Sequence, residues 1–355
     1  MTTSSYSSSF GRLQSLSSNF LSKGDIQNLV KAKDVDEMTR ILQSTWYGPE
    51  IERASNLYSP PELLEVALNR HLVEINKIVL ESAPFSGKTA IRSYLLKWDI
   101  YNIELILSSK IIGRAITETE PFLISSRNYP AGISAGNISH DEMKIILLQP
   151  DLESVVNYLV KYKYGTIILQ HFDSFQKTGD LSPMMLDLVA YYYANLIESL
   201  KFFQGDEAII RDLFRMQIDK KNIMSLLKCK DSNLNRDLVA KHLIEGGHVS
   251  LNDLMDMFGS KNAEEFANRI EERLNLGDLL ETYRNTHSLI DFEVALDKFA
   301  SLSYVQKLKS ISLSIGFIFH FIIIAEFEWD NIKRIAYGKR YGISMDRINS
   351  MLIFE

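Results

Sequence analysis

The chain has 355 residues, of which 46% are hydrophobic and 24% charged, so it is neither a disordered polymer nor a membrane-dominated one, and its length allows two or three domains. Its formal net charge of −6 argues against a nucleic-acid-binding domain, since such domains are usually basic. A single cysteine, Cys229, excludes an intramolecular disulfide and suits a reducing compartment.

Prolines are few and long periodic apolar stretches dominate, which predicts a mostly helical protein. The first stretch, residues 2–18, is Ser-rich. It lacks a basic start followed by an apolar core, so it does not read as a secretory signal. A helix is expected from Gly24-Asp25 to near Lys31, and a second over residues 35–45, stopped by Gly48-Pro49. Ser59-Pro60-Pro61-Glu62 reads as a helix start, with Ser59 in the capping position. The helix behind it carries Leu63, Leu64, Ala67, Leu68, His71, Leu72 and Ile75 at spacings of three and four. Residues 83–87 read as a loop, and residues 90–108 as a long helix.

Residues 113–136, with Pro121, Pro130, Gly132 and Gly136, form the expected first linker. Ser139 followed three residues later by Glu142 is a capping box. Residues 178–183 form a loop before a helix carrying Tyr191, Tyr192 and Tyr193, and Gly205-Asp206 precedes the next long helix. Gly246-Gly247 breaks the chain again. The one membrane-like stretch, residues 311–327, is interrupted by His320 and Glu326. It falls short of the roughly 20 residues that span a bilayer, so it reads as a buried core helix. No run of strands is evident.

One pattern occurs three times: an acid, Asn three residues on, Ile next, a branched apolar residue four after the Asn, and Lys eight after it. The copies are Asp99, Asn102, Ile103, Ile106, Lys110; Asp219, Asn222, Ile223, Leu226, Lys230; and Glu328, Asn331, Ile332, Ile335, Lys339. Gly113, Asn233 and Gly342 follow each Lys by three, and both residue types tolerate the left-handed conformation that closes a helix. The three Asn lie 120 and 109 residues apart. A second repeated element begins at Asp34 and at Asp151 and runs to Tyr47-Gly48 and Tyr164-Gly165; Asn262 opens a weaker third copy. These starts precede the repeated Asn by 68, 71 and 69 residues. The chain therefore reads as three helical repeats, 1–125, 126–246 and 247–355.

The motif residues trace one stripe along a helix. Asp and Asn are poor helix-interior residues, because their side chains compete for backbone groups. Their repetition therefore implies a task, and the simplest is to fix how this helix meets a neighbour.

Support for catalysis is absent. Ser86-Gly87-Lys88-Thr89 resembles the end of a phosphate-binding loop, but Ser82 stands where its first Gly belongs and no strand precedes it. The seven histidines show no pair at helical zinc spacing, and one cysteine cannot build a structural zinc cluster. No serine sits in a nucleophile elbow. No catalytic, metal-binding or cofactor-binding residue is assigned, and no cofactor is expected. The cluster Lys333, Arg334, Lys339 and Arg340 is the densest basic group, either a solvated face or a contact for an acidic partner or anionic membrane edge.

The stretches Asp99 to Ile103 with Lys110 to Gly113, and Glu328 to Ile332 with Gly338 to Gly342, resemble the C subunit of archaeal-type (A/V-type) rotary ATP synthases, which is related to the d subunit of the vacuolar ATPase. Tyr6, Gly11-Arg12-Leu13, Thr45-Trp46-Tyr47-Gly48 and Leu313-Ser314-Ile315-Gly316 support the resemblance, which covers essentially the whole chain. The Ser-rich start departs from it, where the family tends to be more basic. The resemblance implies an all-α fold of three similar helical domains around a pseudo-threefold axis, forming a funnel. It implies a non-catalytic central-stalk subunit that joins the rotor shaft to the membrane proteolipid ring and couples ATP synthesis or hydrolysis to ion transport, the proton being the expected ion. Its expected place is peripheral, on the cytoplasmic face of the membrane, with no transmembrane helix. The competing reading is a helical-repeat scaffold unconnected to energy coupling.

Overall fold

Apolar residues at spacings of three and four give each long segment a face to bury, and every regular element among the described residues is helical. The computed structural model describes residues 6–124, 136–232, 240–241 and 243–354. Two compact units result: Met1–Val189 with Phe321–Asn349, and Ala190–His320 with Ser350–Glu355.

The Ser-rich start forms a helix, α1 (Ser7–Ser17), pinned to the chain near residue 82 by Ser9 Oγ donating to the Ser82 carbonyl at 2.5 Å. Next come α2 (Lys23–Lys31) and α3 (Val35–Gln43), each started by a side-chain cap: Ser22 accepts from the Asp25 N–H, and Asp34 from the Glu37 N–H. Gly48-Pro49 starts a helix instead of only stopping one. In α4 (Gly48–Ser55) the proline occupies the first turn, where its missing N–H costs nothing. Helix α5 (Glu62–Ser82) buries all seven apolar-stripe residues named above. Its cap differs from expectation, because Ser59 accepts from Leu63 N–H through its carbonyl, not its hydroxyl.

Helix α6 (Phe85–Ile111) begins earlier than predicted and takes in Ser86, Gly87, Lys88 and Thr89. No glycine-rich turn exists there to cradle phosphate. The linker region contains a short helix, α7 (Ile116–Thr119); Pro130 and Gly132 lie outside the described residues. Helices α8 (His140–Leu147) and α9 (Leu152–Leu159) repeat the capped pair, with Ser139 and Asp151 as caps. Then follow α10 (Tyr164–Leu169), α11 (Phe172–Thr178) and α12 (Ser182–Ser199).

Helix α13 (Ala208–Asp231) carries the second motif. A third capped pair follows, α14 (Leu251–Phe258) behind Ser250 and α15 (Ala263–Leu274) behind Asn262. The chain continues through α16 (Glu281–Thr286), α17 (Leu289–Ala300), a π turn at Ser301–Val305 and α18 (Gln306–Ser310). Helix α19 (Ile315–Arg340) carries the third motif, and α20 (Met345–Met351) ends the regular structure. The apolar start of α19 is a core segment as expected: Phe317, Ile318, Phe319, Phe321, Ile322 and Ile323 are buried. No helix among the described residues is long and apolar enough to cross a membrane.

In the first unit, residues of α19 meet α5 and α6 through polar and aromatic contacts. Trp98 and Trp329 cross edge to face at 5.9 Å, and Trp329 Nε1 donates to Asn69 Oδ1 at 3.1 Å. Tyr94 and Lys97 both donate to Glu326 Oε2, at 2.5 and 2.6 Å. In the second unit, Phe214 packs against Phe319 at 5.5 Å and Phe292 against Tyr283 at 5.0 Å.

Candidate functional site

The three motif acids and three motif asparagines are all buried. A buried polar group must be hydrogen-bonded or it costs stability, so their partners define their task. In the first copy, Asp99 accepts from the backbone N–H groups of Asn137 (2.8 Å) and Ile138 (3.2 Å) and from the Tyr164 hydroxyl (2.9 Å). In the second, Asp219 accepts from the backbone N–H groups of His248 (2.9 Å) and Val249 (3.1 Å), with His248 Nδ1 at 3.3 Å. In the third, Glu328 accepts from Leu21 N–H (2.5 Å), the Tyr47 hydroxyl (2.7 Å) and Trp46 Nε1 (3.4 Å).

These donors occupy one repeated place. Ile138, Val249 and Leu21 each immediately precede the serine that caps the first helix of a pair. At the other end of the same stripe, each lysine takes the carbonyl that follows that helix. Lys110 Nζ donates to Gln149 O at 2.5 Å and Lys230 Nζ to Ser260 O at 2.6 Å; Lys339 Nζ donates to Val30 O at 2.8 Å and to Ala32 O. Gln149, Ser260 and Ala32 each stand two residues before the next cap, Asp151, Asn262 or Asp34. Each motif helix thus clamps both ends of one short helix: carboxylate on the entering N–H, ammonium on the leaving C=O.

The order is cyclic in sequence. Helix α6 clamps α8, α13 clamps α14, and α19 clamps α2. The asparagines pin a further strand of chain. Asn102 exchanges two hydrogen bonds with the backbone of Ile124 (3.3 and 2.8 Å), and Asn222 does the same with Ile244 (both 2.8 Å). In both copies the partner lies 22 residues downstream.

Two glycines make room for the acids. A Cβ on Gly136 would stand 2.2 Å from Asp99 Oδ1, and one on Gly247 would stand 2.1 Å from Asp219 Oδ1. The third copy has Asn19 at this place, and there the acid is the longer Glu328, which draws more on side-chain donors. Gly113 and Gly342 adopt the left-handed conformation expected after the motif lysines, with φ of +67° and +66°. Asn233 lies outside the described residues.

Burial pushes the Asp99 and Glu328 carboxyls up to about 7, against the opposing pull of the hydrogen bonds they accept. Burial likewise lowers Lys339, against the pull of Glu37 and Asp34. His71, buried beside Trp46 and Tyr47, is held down to about 3 by the same desolvation, and so is neutral.

The basic cluster separates into different roles. Lys333 pairs with Glu65 at 3.2 Å, Arg334 with Asp330 at 2.6 Å, and Lys339 belongs to the third clamp. Arg340 is exposed and rests over the Tyr341 ring at 5.8 Å. Among the described residues, no group of three His, Cys, Asp or Glu side chains is placed to hold a metal ion. Cys229 is free and buried. Such an arrangement is chemically a set of rigid joints.

The sequence model of the ATP synthase (C/AC39) subunit family matches residues 10–351. The chain belongs to this family. A protein named as the A-type ATP synthase C subunit, from Thermoplasma acidophilum, is 33% identical over 352 residues, covering 99% of this chain and 99% of its own. Proteins of the same name from Methanocaldococcus jannaschii and Halorubrum lacusprofundi are 26% and 27% identical, covering 96% and 89% of this chain and 84% and 88% of their own length. Membership makes the chain a non-catalytic subunit of an A/V-type ATP synthase. The motif clamps therefore belong to the architecture of a family whose part in the machine is mechanical.

Proposed function

We propose that this chain is the central-stalk adaptor of the machine, linking the rotor shaft to the membrane proteolipid ring on the cytoplasmic face. The observation that supports this most is the clamp that recurs on α6, α13 and α19. A torque carrier must deform little under load. Buried charge-assisted bonds at both ends of each clamped helix, set in a close-packed interior, provide that stiffness. The same repetition supports reading the chain as three similar domains, 1–125, 126–246 and 247–355, around a pseudo-threefold axis, with each domain's motif helix clasping the first helix of the next. Of the basic cluster, Arg340 is the residue we assign to partner contact, since Lys333, Arg334 and Lys339 have intramolecular partners. No observation favours the unrelated scaffold reading. The deciding experiment strips the chain from the assembled complex. ATP hydrolysis by the soluble head should persist while ion pumping stops; a stripped complex that pumps at the normal rate would overturn the proposal.

A further inference from the structure

A cleft of about 400 Å³ lies between α5, α6 and the C-terminal half of α19, all within the first compact unit. That volume is in the range of small-molecule sites, and three distinct chemistries converge on it. Ring faces come from Tyr101, Phe122 and Tyr341. Positive charge comes from Arg114, over the Phe122 ring at 5.1 Å, and Arg340, over the Tyr341 ring at 5.8 Å. Arg114 has its nearest carboxylate, Glu118, at 3.8 Å, and Arg340 has no ion pair among the described residues. A free acceptor comes from exposed Glu62, which has no partner among the described residues. The cleft's other acid, Glu65, is already engaged by Lys333 at 3.2 Å and by the Tyr337 hydroxyl at 3.1 Å, so it does not neutralise the arginines.

We propose that this cleft binds a nucleoside phosphate. Arg114 and Arg340 take the phosphate oxygens, which planar guanidiniums match in geometry. The base stacks on the aromatic wall. Glu62 accepts from the ribose hydroxyls, the role an acidic side chain plays in other nucleotide sites. A bare inorganic anion would use the arginines alone and leave the rings and Glu62 without a task. An acidic peptide would be repelled by Glu62. None of the clamp residues is involved, and the inference is independent of the coupling role.

The test is calorimetric titration of the full chain with ADP, with pyrophosphate and adenosine as separate arms. ADP should bind about tenfold or more tighter than either fragment. Arg340→Gln should weaken ADP and pyrophosphate alike by about tenfold. Glu62→Gln should weaken ADP and adenosine but leave pyrophosphate unchanged. Both side chains are exposed, and matching melting curves verify that the variants are folded. Absence of ADP binding at millimolar concentration overturns the proposal. So does binding that both variants leave unchanged, which would place the site elsewhere, or pyrophosphate binding as tight as ADP, which would make it a plain anion site.

Discussion

Asn222 illustrates how a helix-disfavoured residue is retained because its side chain closes two backbone valences at once. Replacing it with Ala leaves the N–H and C=O of buried Ile244 without partners, which should cost about 1–3 kcal/mol in a denaturant melt. An unchanged midpoint would show that water or a neighbour substitutes for the amide. The acids make a signed pH prediction. Asp99 and Glu328 titrate near 7 when folded, against ordinary values of 3.8 and 4.5. Between those limits the folded chain holds protons that the unfolded chain has released, so their contribution to stability falls as pH rises through the window. His71 acts oppositely: folded near 3 against 6.5, it costs stability as pH falls. The clean readout is therefore a difference. Asp99→Asn with Glu328→Gln should lose less stability than the parent on going from about pH 5 to about pH 7.5. If the two slopes coincide, burial does not govern these carboxyls. At this scale the sequence showed which residues matter, since Asp, Asn and Lys recur at fixed offsets. Their partners were hidden because they are mostly backbone groups, which carry no residue signature. The partner's place was legible only in retrospect, as an apolar-Ser dipeptide before an acid: Leu21-Ser22, Ile138-Ser139 and Val249-Ser250.

At the scale of elements, a motif helix and the short helix it clamps behave as one joint. Gly247 is the tightest point of the second joint. Gly247→Ala should displace the Asp219 carboxylate and destabilise the second unit by at least about 1 kcal/mol, in the range of an unmade buried charged hydrogen bond. Gly11→Ala, at a helical glycine with nothing within 4 Å of the added carbon, should be neutral or slightly stabilising. Equal melting points for the two variants would remove the steric argument. Helix existence was readable from apolar periodicity along α5 and α19, and helix starts from Asp34, Ser139 and Asp151. Two boundaries read wrongly for identifiable reasons. Gly48-Pro49 reads as a stop although proline is well suited to a first turn, and α6 absorbs Ser86 to Thr89 because nothing there forbids helix. The short α7, and the helical Ser-rich α1, have composition typical of loops and owe their form to context, such as the Ser9 and Arg12 contacts at the end of α5.

At the scale of the whole molecule, the third clamp differs from the others in what it joins. The first two connect segments 39 residues apart or fewer, whereas Lys339 and Glu328 hold Val30 and Leu21 across more than 300 residues. Closing such a long loop carries an entropic cost that grows only slowly with length, so a few buried charge-assisted bonds suffice to hold the two ends of the chain together. The first two clamps can form locally; the third can form only after both ends of the first unit are in place. It is therefore the joint whose loss should matter most for a part that transmits torque. Lys339→Met keeps the length and apolar stem of the side chain but deletes its bonds to Val30 and Ala32, while Lys230→Met makes the equivalent change at the second clamp. In a reconstituted complex, both variants should leave ATP hydrolysis by the head near normal. Lys339→Met should lower the number of ions moved per ATP by more than Lys230→Met does, because strain applied along the chain can open a joint closed by its two ends. The measurement is proton uptake against phosphate release in the same vesicles. If Lys339→Met assembles, melts at a lower temperature than the parent, and yet moves as many ions per ATP, then stiffness at this joint is not what couples the machine.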